Sequence, residues 1–336
     1  MIVLDGSYGS GGGQIIRTAL ALSALTGKSF FIEKIRAKRK NPGLAAQHLS
    51  CVKAVAKLCN ARVSGAFLGS TKLSFEPGKI ETKKLKIDIG TAGSIPLVLQ
   101  ALIPALTQAE EFEIKIKGGT DVKFAPSIDY TKEVFLKLLE KMGCETKLLI
   151  EKRGFYPRGG GFVTFRISNS NLKRYDFVEQ GKILSLKGNS IASVELKKAR
   201  VAERQASSAL KLLNPSFSIR IKKGYVEADS IGSVITLWLE TEKSILGASS
   251  LGEKGKRAEE VGKEAAQALM EEIESKAAID EHAADQLLPY LALTGGSLKT
   301  SKISEHAKTN AFVIEKFLPV KFEINEERAI IKVVKE

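Results

Sequence analysis

The sequence predicts an α/β fold in which one unit of strands and helices is used three times, with a smaller α/β domain inserted into the third copy. Apolar helical segments alternate with short strands in which polar and apolar residues take turns. The same order of elements recurs along the chain, so that Phe30 and Phe112 open equivalent strands. Recurrence of this kind indicates one supersecondary unit repeated around a shared core.

The first unit is predicted to begin with a glycine-rich turn and to end with two strands. Its elements are a turn at 9–13, a helix at 15–25, a strand at 30–35, a helix at 44–58 and strands at 61–65 and 71–76. The second unit has a turn at 90–94, a helix at 95–106, a strand at 112–117, a helix at 129–142 and strands at 145–150 and 161–167. The third has a helix at 283–293, a strand at 297–303, a helix at 307–317 and strands at 320–325 and 329–334.

The third unit is interrupted by a segment with its own pattern. That segment has helices at 200–213 and 256–274 and strands at 216–222, 234–240 and 243–249. We therefore expect a large three-repeat domain at 1–180 plus 277–336, and a small inserted α/β domain at 181–276.

Composition indicates a soluble globular protein that is not a membrane protein. The chain is 43% hydrophobic and 27% charged, and its longest apolar segment, 95–106, is too short to span a bilayer. The first residues lack the basic and apolar regions of a secretory signal. Three cysteines are too few for a disulfide framework, and Cys51 and Cys59 are expected as buried thiols. A cytoplasmic location is expected.

The formal charge of +14 and the pI of about 9.5 favour an anionic partner such as RNA, DNA or a nucleotide. The alternative is that the lysines merely solvate the surface. Because aromatic residues make up 7% of the chain, base stacking cannot be its general mode of binding.

Two loops are candidates for phosphate binding. Glycines at 9 and 11–13 precede a helix whose free N–H groups can attract phosphate, although the spacing is neither a dinucleotide fingerprint nor a Walker A loop. The alternative is a tight turn between strand and helix. The basic loop 36–40 contains Arg36 and Arg39, which suit phosphate oxygens, and is followed by Gln47 and His48. It can equally be a solvated loop.

The three histidines, His48, His282 and His306, have no spacing that suits a zinc site, and no Gly-x-Ser-x-Gly elbow is present. His306 lies at a junction between a strand and a helix. Taken alone, it is compatible with a helix cap or a surface histidine as well as with a nucleophile.

Taken together, the motifs resemble those of the RNA 3'-terminal phosphate cyclase family over nearly the whole chain. The most specific are the run Arg153-Gly154-Phe155-Tyr156-Pro157-x-Gly159-Gly160-Gly161 and the segment His306-x-x-Thr309-Asn310. The others are Asp5-Gly6-x-x-Gly9-x-Gly11-Gly12-Gly13-Gln14-x-x-Arg17, Pro42-Gly43-Leu44-x-x-Gln47-His48, Gly90-Thr91-Ala92-Gly93-Ser94, Gly118-Gly119-Thr120-Asp121 and Ala284-Asp285-Gln286-Leu287.

The resemblance implies an ATP-dependent enzyme of the ligase class that converts an RNA 3'-phosphate to a 2',3'-cyclic phosphate. A histidine attacks ATP and carries AMP, AMP passes to the RNA 3'-phosphate, and the ribose 2'-OH displaces it. Adenylation gives the phosphate a good leaving group and divides a difficult reaction into easier steps. The implied fold is three βαβαββ units, like those of enolpyruvyl transferases, and an inserted α/β domain.

The resemblance also assigns candidate site residues. His306 is the expected nucleophile. The expected ATP site consists of Gln100, Pro126, His282, Ala283, Ala284, Asp285 and Gln286. The expected phosphate and RNA contacts are Arg17, Arg36, Arg39, Gln47 and His48.

One departure concerns the metal. The reaction is expected to use Mg²⁺ or Mn²⁺ on the triphosphate, but Ser10 stands where the family commonly has a glutamate that contacts the metal. No metal ligands are therefore assigned. Two alternatives stay open: a non-catalytic cyclase-like RNA-binding protein of ribosome assembly, which would lack the histidine, and an enolpyruvyl-type transferase, which would form no covalent nucleotide.

Overall fold

The structure is a computed structural model that describes residues 1–335. Its strands form four sheets of four strands each. Three of these sheets repeat one topology, and the fourth lies within the chain segment that interrupts the third repeat. The predicted fold class, three βαβαββ units with an inserted α/β unit, is confirmed.

The helices and strands of the first two units follow one another without interruption. The first unit contains β1 (Ile2–Asp5), α1 (Gln14–Thr26), β2 (Phe30–Glu33), α2 (Ala46–Leu58), β3 (Arg62–Ser64) and β4 (Leu73–Glu76). The second contains β5 (Lys84–Asp88), α3 (Ile95–Leu106), β6 (Glu111–Gly118), α4 (Ile128–Tyr130), a π-helical turn (Thr131–Phe135), α5 (Leu136–Lys141), β7 (Glu145–Lys152) and β8 (Gly161–Ser168).

The third unit starts before the inserted segment and resumes after it. It begins with β9 (Tyr175–Phe177). The inserted elements are β10 (Ile183–Ser193), a 3₁₀ turn (Val194–Leu196), α6 (Val201–Leu212), β11 (Ile219–Val226), β12 (Ser233–Thr241), β13 (Ile245–Leu251) and α7 (Ala258–Glu274). The third unit then continues with α8 (Glu281–Thr294), β14 (Gly296–Lys299), α9 (Glu305–Phe317), β15 (Val320–Asn325) and β16 (Ile330–Lys335).

Strand pairing is the same in all three repeats. The sheet orders are β1-β2-β4-β3, β5-β6-β8-β7 and β9-β14-β16-β15. In each, the first two strands are parallel and the other pairs are antiparallel. The inserted sheet has the different order β11-β10-β12-β13. These sheets support the proposed domain ranges, 1–180 plus 277–336 and 181–276, which stay a prediction; residue 336 lies outside the described residues.

Four strands of the structure were not predicted from the hydrophobic pattern of the sequence. Three of them, β1, β5 and β9, are short outer strands of their sheets, so their weak apolar signal is outweighed by neighbouring polar residues. The fourth, β10, is central, but polar residues and a glycine at 187–190 break its apolar run. The predicted helix 129–142 is helical, with the π-helical turn in its middle.

Two apolar cores hold the elements in place. The larger one joins the three repeats, where α1 packs on α3 and α9, and α8 packs on α3 and α9. The smaller one lies between the inserted sheet and helices α6 and α7. Cys51 and Cys59 are buried free thiols, as expected, and Cys144 is a buried free thiol as well. Within residues 1–335, no helix has both the length and the apolar character needed to cross a membrane.

Side-chain caps fix where three of the core helices begin. Ser94 accepts a hydrogen bond from the N–H of Leu97 at 3.2 Å, and Ser304 accepts one from Ala307 at 3.1 Å. Asp280 accepts two at the start of α8. Such caps satisfy N–H groups that the helix leaves free. They set the first turns of α3, α8 and α9, from which several candidate site residues project.

A buried ion network joins the second repeat to the inserted domain. Arg153 donates to Asp121 at 3.1 Å and to Asp129 at 2.7 Å, and Asn189 of β10 donates to the other oxygen of Asp129 at 3.1 Å. The arginine side chain is 9% exposed and both carboxylates are almost fully buried. Arg153, which opens the motif with three consecutive glycines, therefore forms ion pairs with two buried acids.

We expect Arg153→Met to lower the free energy of unfolding by about 3–5 kcal/mol, because two carboxylates would stay buried without a cation. The matched control is Arg166→Met, which breaks a pair with Glu113 whose arginine is 53% exposed. That change is expected to cost under about 1 kcal/mol. Denaturant unfolding followed by circular dichroism measures both. Equal losses for the two variants would contradict the assignment of the Arg153 network as a buried one.

Candidate active site

The glycine loop before α1 lies against α9 and the basic loop. Tyr8 stacks on Phe312 of α9 with ring centroids 3.8 Å apart, and Lys38 donates to the carbonyl of Gly9 at 3.2 Å. Gly9 has a φ of +52°, and a Cβ there would lie 2.4 Å from the hydroxyl oxygen of Thr309. A side chain at this position would therefore push the loop off α9.

His306 lies in the first turn of α9 and faces the glycine loop together with Arg39. A Cβ placed on Gly12 would lie 3.8 Å from Cε1 of His306 and 3.3 Å from Nη2 of Arg39. Both side chains are exposed. The N-terminus of a helix attracts negative charge, so a phosphate bound to this imidazole would be stabilised by α9 and by Arg39.

The environment keeps the His306 imidazole neutral at physiological pH. Partial burial lowers its pKa below the usual 6.5, and the positive charges of Arg17 and Arg39 lower it further. A neutral imidazole has a free lone pair on one ring nitrogen. The structure thus places a neutral imidazole beside cations that attract anions.

His48 lies behind the same loop and is buried. A Cβ on Gly13 would lie 1.9 Å from its Nε2, so glycine is required for the ring to occupy this place. Nδ1 accepts a hydrogen bond from the N–H of Ala45 at 3.2 Å, which leaves the proton of the neutral ring on Nε2. Burial, followed by Arg17 and Arg36, lowers the pKa of His48 to about 3. His48 is therefore a neutral hydrogen-bond donor.

Arg36 and Gln47 are partly used by the fold. Arg36 donates to the carbonyl of Gly43 at 2.8 Å and has a positive φ of 52°. The side-chain oxygen of Gln47 accepts the N–H of Ser94 at 3.2 Å. The Nε2 of Gln47 is buried and, within residues 1–335, has no hydrogen-bond partner. This amide is a donor that a ligand can satisfy.

A small cavity lies between α1, α3 and α8. Its lining includes four of the expected site residues: Arg17, Gln100, Asp285 and Gln286. Arg17 donates to Gln14, and its buried Nε has no partner in the described chain. Gln286 donates to the carbonyl of His282 at 2.8 Å, and its own side-chain oxygen is buried without a partner. The cavity therefore offers both free donors and free acceptors.

The pKa of the Asp285 carboxyl lies near neutral pH. Burial raises its pKa to about 7, and the positive charges of His282 and Arg17 oppose the rise. Its backbone carbonyl accepts a hydrogen bond from Asn310 at 2.9 Å. Because Asn310 also accepts from Thr18 at 2.6 Å, this one amide ties α8 and α9 to α1.

The first turn of α8 carries the remaining ATP-site candidates. His282 is exposed, whereas Ala283 and Ala284 are buried in the large core, so their side chains cannot face a ligand. Pro126 belongs to another loop. That loop leads into α4, where the hydroxyl of Tyr130 donates to Asp280 at 2.5 Å.

Sequence reasoning assigned no role to Gln14, Thr18, Asp280 or Asn310, although they position the site. Gln14 holds Arg17, Asn310 joins three helices, and Asp280 caps α8 while binding Tyr130. Two signals could have indicated three of them: Gln14 and Asn310 belong to the motifs quoted above, and Gln14 and Thr18 are one helical turn apart on α1.

The described residues contain no group of three or more histidine, cysteine, aspartate or glutamate side chains that could hold a metal ion. In the glycine loop, the hydroxyl of Ser10 is buried and has no partner in the described chain. A single neutral hydroxyl is a poor ligand set for Mg²⁺, which prefers carboxylates and phosphate oxygens.

The fold and this geometry define a class of protein: three βαβαββ units around a neutral histidine, a glycine loop and several arginines, an arrangement suited to phosphate chemistry. The model of the family "RNA 3'-terminal phosphate cyclase" matches residues 8–324. The chain belongs to this family.

Three relatives named RNA 3'-terminal phosphate cyclase align with the chain over almost its full length. The protein of Pyrococcus furiosus is 44% identical over 341 residues, covering 100% of this chain and 99% of the relative. That of Sulfurisphaera tokodaii is 47% identical and covers 98% of both chains. That of Methanosarcina barkeri is 45% identical and covers 99% of both.

We expect the pKa of His306 to rise when Arg39 is replaced by glutamine, because a positive charge that disfavours the protonated ring is removed. The parent ring should titrate below the usual 6.5. Lys40→Gln, which removes a neighbouring charge from the same loop, is the control and should leave the titration unchanged. With three histidines in the chain, NMR of the imidazole C–H signals measures each pKa directly. A parent His306 that titrates above 6.5 would contradict the described environment.

Proposed function

We propose that the protein is an ATP-dependent enzyme that converts an RNA 3'-terminal phosphate to a 2',3'-cyclic phosphodiester through a histidine–AMP intermediate. The observation that carries the proposal is the position of His306. Its neutral and exposed ring lies at the start of α9. Both this ring and the side chain of Arg39 face Gly12. The family and the names of the relatives support the same reaction.

The proposed chemistry has three steps. A nitrogen of the neutral His306 ring attacks the α-phosphorus of ATP, the bond to pyrophosphate breaks, and the other ring nitrogen releases its proton. An oxygen of the RNA 3'-phosphate then attacks the same phosphorus, the P–N bond breaks, and the ring takes up a proton from solvent to leave as neutral imidazole. Finally, the ribose 2'-OH attacks the RNA phosphorus, loses its proton, and AMP leaves. Covalent catalysis activates a phosphate that is a poor electrophile by itself.

The arginines would stabilise the charge that develops at the phosphates. Arg17 and Arg39 lie close enough to His306 to lower its pKa, so a phosphate bonded to this ring would lie within the field of both. Gln47 and His48 would add neutral N–H donors, and Arg36 would act partly through the loop that it holds at Gly43. Fixed donors cost no reorganisation during the reaction.

The ATP site would occupy the cavity beside α8. Gln100 and Gln286 would bind polar edges of the nucleotide, because their amides line the cavity. His282 and Pro126 would flank the adenine, and Asp285 would orient the first turns of α8. Ala283 and Ala284 would contribute through their backbone, since their side chains are buried.

A divalent cation would be bound mainly by the ATP phosphates and water. This follows from Ser10, which supplies a hydroxyl where the family commonly has a carboxylate, and from the lack of a metal-binding group among residues 1–335. No step above is assigned to the metal. In the first step the chain's own groups supply the nucleophile and the fixed positive charge.

The protein should retain AMP covalently after incubation with α-labelled ATP and Mg²⁺ or Mn²⁺. The bond should be acid-labile and alkali-stable, as a phosphoramidate is. His306→Ala should reduce labelling to background because the nucleophile is lost, whereas His282→Ala and His48→Ala keep it and should still be labelled. Denaturing gel electrophoresis measures the adduct.

Both alternative functions predict a result in that experiment that differs from the one expected for the cyclase. A non-catalytic cyclase-like RNA-binding protein and an enolpyruvyl-type transferase would leave the parent protein unlabelled. Label that persists in His306→Ala would remove His306 from the chemistry. Conversion of a 3'-phosphorylated RNA to its cyclic form by the parent protein completes the test.

Arg39→Ala should weaken binding of RNA ending in a 3'-phosphate by roughly ten-fold, the effect of losing a charge-assisted hydrogen bond. Binding of the same RNA ending in a 3'-OH should change much less, because the lost partner is the terminal phosphate. Lys40→Ala is the matched control from the same loop. Fluorescence anisotropy measures both affinities, and equal losses for the two RNA ends would make Arg39 a general backbone contact.

A further inference from the structure

A basic groove runs between helix α2 and the outer strand β5. Its charged lining consists of Lys53, Lys57, Lys86 and Asp88. All three lysines are exposed, and within residues 1–335 none of them forms an ion pair with a carboxylate. Asp88 is already engaged, by the N–H of Gly90 at 2.8 Å and by Lys117 at 3.6 Å. The groove therefore has an excess of uncompensated positive charge.

The groove starts at the candidate active site. Gln47, on the first turn of α2, contacts Ser94 at the end of the same short turn whose Thr91 lines the groove. Helical spacing puts Gln47 on the same face of α2 as Ser50 and Lys57. With a rise of 1.5 Å per residue, Lys53 and Lys57 lie roughly 9 and 15 Å beyond Gln47 along the helix. A chain that leaves the site along α2 would meet both cations in turn.

An apolar rim accompanies the charge. Leu68 lines the groove and is 62% exposed, and the adjacent Phe67 is 63% exposed. An aromatic ring beside a basic channel is the combination that binds single-stranded nucleic acid, in which phosphates meet the cations and bases stack on apolar side chains. Because the chain has few aromatic residues, the exposed ring of Phe67 beside this groove supports binding of a nucleic acid.

The alternative occupant of such a groove is a peptide that adds a strand to the free edge of β5. The structure disfavours it, because Lys57 donates to the carbonyl of Lys86 at 2.9 Å and so covers one of the acceptors that an added strand would need. The charge and the apolar rim favour a polyanion that has bases.

We propose that this groove binds the RNA nucleotides immediately upstream of the 3'-terminal phosphate, with Lys53, Lys57 and Lys86 on the ribose-phosphate backbone and Phe67 against a base. The proposal rests on the proposed function for the position of the RNA end. It adds the path of the RNA chain away from that end and a source of affinity separate from the terminal phosphate.

The test compares the binding of a 3'-phosphorylated dinucleotide with that of a 3'-phosphorylated decanucleotide. The variant is K53Q/K57Q/K86Q. We expect it to bind the dinucleotide as the parent does and the decanucleotide at least ten-fold more weakly. The slope of log affinity against log salt for the decanucleotide should fall by about 2, the value for three lost contacts to a single strand.

The matched control is K211Q/K222Q/K263Q, which removes three exposed lysines of the inserted domain and the same net charge. It should retain the parent's preference for the longer RNA. Equal weakening in both triple variants, or an unchanged preference in K53Q/K57Q/K86Q, would overturn the proposal. A second variant, F67S, leaves every charge in place and should weaken decanucleotide binding alone. It keeps the proposal testable if the triple variant does not fold.

Labelling with α-labelled ATP in the absence of RNA separates this proposal from the proposed function. K53Q/K57Q/K86Q should form the histidine–AMP adduct as the parent does, because the groove lies outside the nucleotide cavity. A parent that forms no adduct would refute the proposed reaction, while the dependence of binding on RNA length would still decide whether the groove binds RNA.

Discussion

The approach of three distant segments to one glycine loop is the constraint on which the site depends. His48 occupies the space where a side chain on Gly13 would lie, and Gly12 leaves room for both Arg39 and His306. Gly9 lets the loop rest on α9 beside Thr309. Because protein interiors are closely packed, a methyl group at 9 or 13 would displace one of these partners. The absence of side chains in the glycine loop therefore makes room for these partners. The same loop leads directly into α1.

The three-repeat core turns this local approach into a site. Helix α1 comes from the first repeat and helices α8 and α9 from the third, and Asn310 connects them through Thr18 and the carbonyl of Asp285. The cavity beside α8 and His306 are thus held by the same packing. The charge of Arg17 lowers the pKa values of both His306 and Asp285. One half-buried cation therefore affects His306 and the neighbouring cavity together.

Much of the fold could be predicted from the sequence where hydrophobic periodicity is strong. The apolar helix α3, with Ser94 as its cap and Pro96 in its first turn, is an example. The short outer strands β1, β5 and β9 could not be predicted, because an edge strand buries little and carries a weak pattern. Candidate site residues came from motifs, yet the contact of His48 with Gly13 and the bond of Tyr130 to Asp280 depend on tertiary packing, which spacing along the chain does not reveal.

We propose that AMP becomes bonded to a ring nitrogen of His306. The most direct measurement is a crystal structure of the protein after incubation with ATP and a divalent cation. We expect continuous density between the AMP phosphorus and a ring nitrogen of His306, with adenine in the cavity beside Gln286 and Gln100. AMP bonded to another side chain would contradict this proposal. So would an unmodified His306 in protein that is covalently adenylated.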